Sequence, residues 1–287
     1  MLHSVIEVRV GVQDISQAIN FYQNVFGFEV LESHLDHALV GVAHSPLGRI
    51  RLLQRPGLER KQPKLWTVGP RLLGMYSRDL AATLQRFEAA GGEVRPKVSY
   101  PYGPGLMTEA VASDINGVWW TMPQIGADGV RQPSPALEID SVRENGELHT
   151  VVTVVNDVDE GIRFYRDAGG MTLLFDGEMS GEVFEEMTGM PKGASLRLAF
   201  LVGPDKAPAR IELMSFSGIG EVDEPTTPPG GIESIQMRVD NVDKSAKSFV
   251  EHGFTVGREG AGYANIDSLR GALDDGANSL DVWVPTS

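Results

Sequence analysis

Cysteine is absent from the 287 residues, which removes disulfides, thiolate metal sites, iron–sulfur clusters and cysteine nucleophiles together. Positive charge is scarce: 25 Lys and Arg stand against 39 Asp and Glu, a formal net charge of -14. Phosphate backbones and anionic lipids call for the opposite balance, so neither nucleic acid nor a membrane is an expected partner. No apolar run approaches the ~18 residues of a membrane span. The N-terminus enters a strand-like run, Ser4 to Val12, without a basic region followed by an apolar stretch. A soluble, cytoplasmic protein is expected, whose chemistry rests on carboxylates, histidine, hydroxyls or backbone.

What the chain does have is a repeat. Four segments carry Asp or Asn, an aliphatic residue, an apolar residue four positions on and, in each, an aromatic three beyond: Asp14-Ile15-Ile19-Tyr22, Asp79-Leu80-Leu84-Phe87, Asp157-Val158-Ile162-Tyr165 and Asn241-Val242-Ala246-Phe249. That spacing puts the apolar residues on one helical face, and the leading Asp or Asn can accept from the first free backbone N–H groups. A glycine follows each predicted helix (Gly27, Gly91, Gly169 or Gly170, Gly253), where a left-handed turn ends a helix without a Cβ penalty. A β-branched stretch precedes each helix and further short strand-like runs follow it, so the unit reads as strand, helix, then about three strands.

The length suggests about two domains of ~150 residues, hence two units in each. Gly126, Gly129, Pro133, Pro135 and Gly146 mark a connection, which predicts an N-terminal domain 1–125, a linker 126–147 and a C-terminal domain 148–287. The halves match: an offset of 143 carries Val12, Asp14, Ile19, Phe21, Tyr22, Gly27 and Leu31 onto identical residues from Val155 to Leu174. The second half adds a longer excursion, Asp176 to Ala194, available as a lid. With few helices to cover a large parallel sheet, the expected class is α+β, with mixed curved sheets and helices outside.

The Asp-capped helix with its Ala-Ile-x-Phe-Tyr core, the Gly-Phe-x-Val-Leu after it and the turn Asp114-Ile115-Asn116-Gly117 resemble the vicinal oxygen chelate superfamily. That group includes glyoxalase I, methylmalonyl-CoA epimerase, extradiol dioxygenases and the bleomycin-binding resistance proteins. The resemblance implies four βαβββ modules paired into two cups, and Glu186 to Pro191 with Ile211-Glu212-Leu213 looks most like the glyoxalase and epimerase branch.

In that family a divalent metal sits in the cup on residues of the first and last strands of each paired module. The matching first-strand positions are Glu7, Leu72, Thr150 and Ser234; the last-strand positions are Arg51, Thr121, Glu212 and Asp281. With consecutive modules paired, the first cup presents Glu7, Arg51, Leu72 and Thr121, which reads as an ion pair between Glu7 and Arg51 in place of a metal. The second cup presents Thr150, Glu212, Ser234 and Asp281, without histidine. No cofactor is expected; should a divalent metal bind, Glu212 and Asp281 are its ligands, and a hard ion such as Mg²⁺ or Ca²⁺ suits them.

The C-terminal cup is therefore the expected working pocket. Glu212 and Asp281 are its catalytic candidates, with Thr150, Ser234, Gln236 and Tyr263 placed against the ligand. Two carboxylates brought close push their pKa values apart, as acid–base work requires. One reading is a glyoxalase-like isomerase or lyase acting on a small organic substrate. The other is a protein that sequesters an apolar or aromatic compound, as the resistance proteins do; a ring-cleaving dioxygenase is a distant third for want of histidine ligands. A monomer or a homodimer is compatible with the duplication. Strand alternation points His149 away from the pocket, and on a continuous strand His34 and Asp36 share a face with His37 opposite, so no metal site is expected there.

Overall fold

A computed structural model describes residues 1–57, 64–125, 134–220 and 231–254, with short strands at 256–257, 264–265 and 278–282. The first module is β1 (Leu2–Val12), α1 (Ile15–Phe26), β2 (Glu29–Ser33), β3 (His37–Gly41) and β4 (Arg49–Gln54). The second is β5 (Gly69–Ser77), α2 (Leu80–Ala89), β6 (Glu93–Val94), β7 (Val98–Tyr102), β8 (Gly105–Ser113) and β9 (Trp119–Pro123). A short α3 (Pro135–Ile139) leads into β10 (Asn145–Val154), so the stretch read as a linker already contains a helix and the start of a strand. The third module continues with α4 (Val158–Ile162), a π-helical stretch Arg163–Ala168, β11 (Thr172–Ser180), α5 (Glu182–Thr188), β12 (Ser195–Val202) and β13 (Arg210–Ser217). The fourth comprises β14 (Gly231–Val239), α6 (Val242–Glu251), β15 (Val256–Gly257), β16 (Ala264–Asn265) and β17 (Asn278–Val282).

Each repeated helix starts as its cap residue dictates. Asp14 accepts from Gln17 N at 2.9 Å, Asp79 from Ala82 N at 3.0 Å, Asp157 from Asp159 N at 2.8 Å and Asn241 from Lys244 N at 2.9 Å. Gly27 closes α1 at φ 71°, a conformation that glycine adopts without strain.

The modules do not pair as consecutive neighbours. One sheet runs β15-β16-β17-β14-β1-β4-β3-β2 and the other β11-β12-β13-β10-β5-β9-β8-β6. The first module is thus joined to the fourth through antiparallel β1 and β14, and the second to the third through antiparallel β5 and β10. Both sheets draw strands from both halves of the chain, which corrects the expected pairing within each half. Every module had the same pattern, and main-chain ladders between first strands carry no side-chain code that would tell one partner from another.

The repeated helices of the four modules lie outside the cups and meet one another. Phe21 of α1 packs edge-on against Phe87 of α2 at 5.1 Å, and Phe164 lies 4.6 Å from Phe249 of α6. The Asp-x-x-Gly turn ties modules together: Tyr22 Oη donates to Asp114 Oδ2 at 2.8 Å and Trp120 Nε1 donates to the same oxygen at 3.1 Å. Asp114 Oδ1 meanwhile accepts from the N–H groups of Asn116 and Val118 at 2.8 and 3.0 Å. Trp120 therefore belongs to the helix side, 4.3 Å from Phe26, while Trp119 packs with Leu72 and Val152 on the opposite face.

Candidate functional site

A cavity of about 310 Å³ opens in the sheet made by modules two and three. Met107, Met179, Phe184, Met187 and Phe200 give it an apolar body. Its polar groups include Tyr76, Tyr100, Tyr102, Glu109, Thr121, His149, Arg210 and Glu212. The helix α5 falls within the excursion expected as a lid, and Phe184, Met187 and Thr188 bring it onto the cavity. Phe184 meets Tyr100 of β7 at 5.0 Å, so the wall joins the two halves of the chain.

Glu212 is buried, and β13 carries it beside Arg210 because residues two apart share a strand face. Arg210 Nη2 donates to Glu212 Oε1 at 3.1 Å, and its guanidinium carbon lies 4.7 Å from the Phe200 ring centre. Burial pushes the Glu212 carboxyl above the ordinary glutamate value against the pull of Arg210, and the nearby charge of Glu109 adds to the rise. Burial opposes the charge on Arg210, yet the Glu212 carboxylate holds its pKa above the usual guanidinium value.

Glu109 is buried also, accepting from Tyr100 Oη at 2.5 Å and from Thr121 Oγ1 through its other oxygen. His149 stacks on Tyr76 at 4.2 Å with rings 15° apart. Its position reverses the expectation from strand alternation, since the β5–β10 register shifts between Leu148 and Thr150 and a bulge re-aims side chains. Gly74 makes the close approach possible: a Cβ there would lie 2.1 Å from Thr150 Cγ2 and 2.8 Å from His149 Cε1.

The expected site residues are divided between the two sheets. Glu212 lines the cavity, and Thr150 is fully buried beside it, its hydroxyl hydrogen-bonding the Glu212 carboxylate and lying 3.4 Å from the Arg210 carbonyl. Asp281, Ser234 and Gln236 belong to the other sheet, where Asp281 stands opposite Gln236 and Gln236 opposite Glu7. The pair expected to be catalytic, Glu212 and Asp281, is therefore not assembled, nor are Ser234 and Gln236 beside Glu212. Both corrections follow from the module pairing. Tyr263 lies outside the described residues. Sequence reasoning missed Glu109, which sits on β8 where the family pattern marks no ligand, and His149. Arg210 was legible in principle, two residues before Glu212.

The four family ligand positions in this cup are Leu72, Thr121, Thr150 and Glu212: one carboxylate, two hydroxyls and an alkyl chain. The carboxylate already accepts from Arg210, so the donor set does not fit a divalent ion.

The class is set by the comparisons. The family model for the Glyoxalase/Bleomycin resistance protein/Dioxygenase superfamily matches residues 4–122 and 147–265, and the chain belongs to that superfamily. Among solved structures it is similar to glyoxalase I from Zea mays, with TM-score 0.58 and 18% identity over 89% of this chain and 83% of that one. A dioxygenase-like protein from Bacillus subtilis subsp. subtilis str. 168 gives TM-score 0.56 at 12% identity over 88% and 76%. At such identities the likeness is one of fold. No curated protein matches the sequence.

Proposed function

We propose that the cavity of modules two and three binds a small organic molecule with an apolar or aromatic body and moves a proton on it, as an isomerase or lyase does, with Glu212 as the shuttle. The observation that carries this reading is a buried carboxyl, raised by desolvation, in the wall of an aromatic cavity that holds a second carboxylate, Glu109. Two carboxyl groups in unequal surroundings divide acid and base roles. Glu109 is tied to Tyr100 and Thr121; burial raises the basicity of Glu212, which Arg210 holds through Oε1. In this reading Glu212 takes a proton from carbon next to a substrate carbonyl and returns it to a neighbouring atom. Arg210 supplies positive charge for the oxyanion that forms between the two transfers.

The second reading is sequestration without turnover. It is favoured by the engagement of both carboxylates with the protein's own donors, Arg210, Tyr100 and Thr121.

One experiment separates them. Chelator-treated protein is screened against small carbonyl and aromatic compounds by thermal shift, and exchange of their acidic C–H protons in D₂O is followed by NMR. A proton-transferring enzyme accelerates exchange, and Glu212→Gln slows it by roughly 10²-fold or more while affinity holds. Binding without exchange leaves only sequestration.

A further inference from the structure

A second cluster of ligating side chains lies away from the cavity, on the β2–β3 hairpin of the other sheet. Among the described residues, Glu32, His34 and His37 are the one group that brings three ligand atoms within 4.8 Å of one another. The turn explains why. The strand does not continue through the sequence His34-Leu35-Asp36-His37; it reverses, with His34 N donating to His37 O at 2.9 Å. Residues flanking a two-residue turn stand opposite each other with side chains on one face. His34 and His37, expected on opposite faces, therefore stack with ring centres 4.3 Å apart. Glu32 precedes His34 by two residues and shares its face.

We propose that Glu32, His34 and His37 form a surface site for a borderline divalent transition metal such as Zn²⁺, Co²⁺ or Ni²⁺. Two imidazoles and one carboxylate suit such ions and leave coordination positions to water. The surroundings are those of a supported site. Asp36 Oδ1 lies 2.7 Å from His37 Nδ1, the carboxylate–imidazole contact that orients a ligating ring and leaves Nε2 to the metal. Arg51 Nη1 donates to Glu32 Oε2 at 2.9 Å, which fixes the carboxylate. A carboxylate can keep such a bond with one oxygen while the other meets an ion. The site adjoins two of the positions that hold metal elsewhere in the superfamily without including them: Glu7 and Arg51 are joined in an ion pair, and Arg51 reaches Glu32 from it. It is also independent of the proton-transfer cavity, which is on the other sheet.

The test is a titration of the chelator-treated full chain with Co²⁺, read by visible d–d absorption, followed by displacement with Zn²⁺. One equivalent is expected to bind the wild type. His34→Ala and His37→Ala should each weaken binding by at least tenfold, and Asp36→Asn by roughly tenfold through the loss of ring orientation. Zn²⁺ should raise the melting temperature of the wild type, while His44→Ala, outside the cluster, should bind as the wild type does. Melting in EDTA checks that each variant folds; if one fails, the other histidine variant and Asp36→Asn decide. No uptake by the wild type, or undiminished uptake by both His34→Ala and His37→Ala, overturns the site.

Discussion

Arg51 Nε donates to Glu7 Oε1 at 2.7 Å, across the two strands that in metal-binding relatives would offer ligands to an ion. Both side chains are largely buried, with 13% and 6% of their surfaces exposed. Each also has a fallback: Arg9 Nε lies 3.7 Å from Glu7, and Arg51 reaches Glu32 at 2.9 Å. Breaking a buried pair by removing one partner typically destabilises by about 3–5 kcal/mol, and the fallbacks place this pair at the lower end. Glu7→Gln and Arg51→Met, unfolded in urea beside the double variant, should show a coupling of about 1 kcal/mol or more. Strict additivity of the two losses would refute the pair's energetic role.

That pair was legible because Glu7 and Arg51 lie in one module, where the first strand runs parallel to the last. Glu212 was legible for the same reason. The partner of each module was not. Nothing in the apolar pattern of β1 distinguishes β14 from β5 as a neighbour, and the choice moved Asp281, Ser234 and Gln236 away from Glu212 in one step. His149 escaped for a local reason, the register shift beside it. The hairpin at His34 escaped because its turn contains neither glycine nor asparagine, the usual signal for such reversals.

Gly74 gives a sharper test of the cavity. Gly74→Ala places a methyl against Thr150 and His149 on the neighbouring strand, where overpacking typically costs about 1–3 kcal/mol. Because His149 lines the cavity, ligand affinity should fall together with stability. A variant as stable as the wild type with unaltered binding would show that β10 shifts to accommodate the methyl, and that this close approach does not shape the site.

The ionisation of Glu212 should be visible in stability. Its folded-state pKa is raised by burial, so its contribution is fully present below the unfolded value of about 4.3 and is lost as pH rises through the folded value. Glu212→Gln removes this dependence and leaves Arg210 charged throughout. The unfolding free energy of the wild type, measured relative to Glu212→Gln from about pH 4 to pH 8, should therefore decline with rising pH. A difference that is flat or climbs would mean that Arg210 outweighs desolvation and that Glu212 is an ordinary ion-pair carboxylate, which weakens its claim as a base.

The crossed pairing makes a prediction about the whole chain. β1 is laddered to β14 and β5 to β10, so two antiparallel junctions hold residues 1–125 to the rest. Side-chain contacts cross as well: Arg143 Nη2 donates to Glu29 Oε1 at 2.5 Å, and Asn145 Nδ2 to the Val25 carbonyl at 3.3 Å. A protease site inserted between residues 125 and 134 should be cut without loss of the folded state. The two fragments should then travel together in gel filtration and part only in denaturant, because separation would expose the unpaired edges of β1, β5, β10 and β14. Either fragment alone should aggregate or form strand-exchanged dimers for the same reason. Fragments that separate in native buffer and each remain folded as monomers would mean that the cups close within the halves, and Glu212 would again have Asp281 as its neighbour.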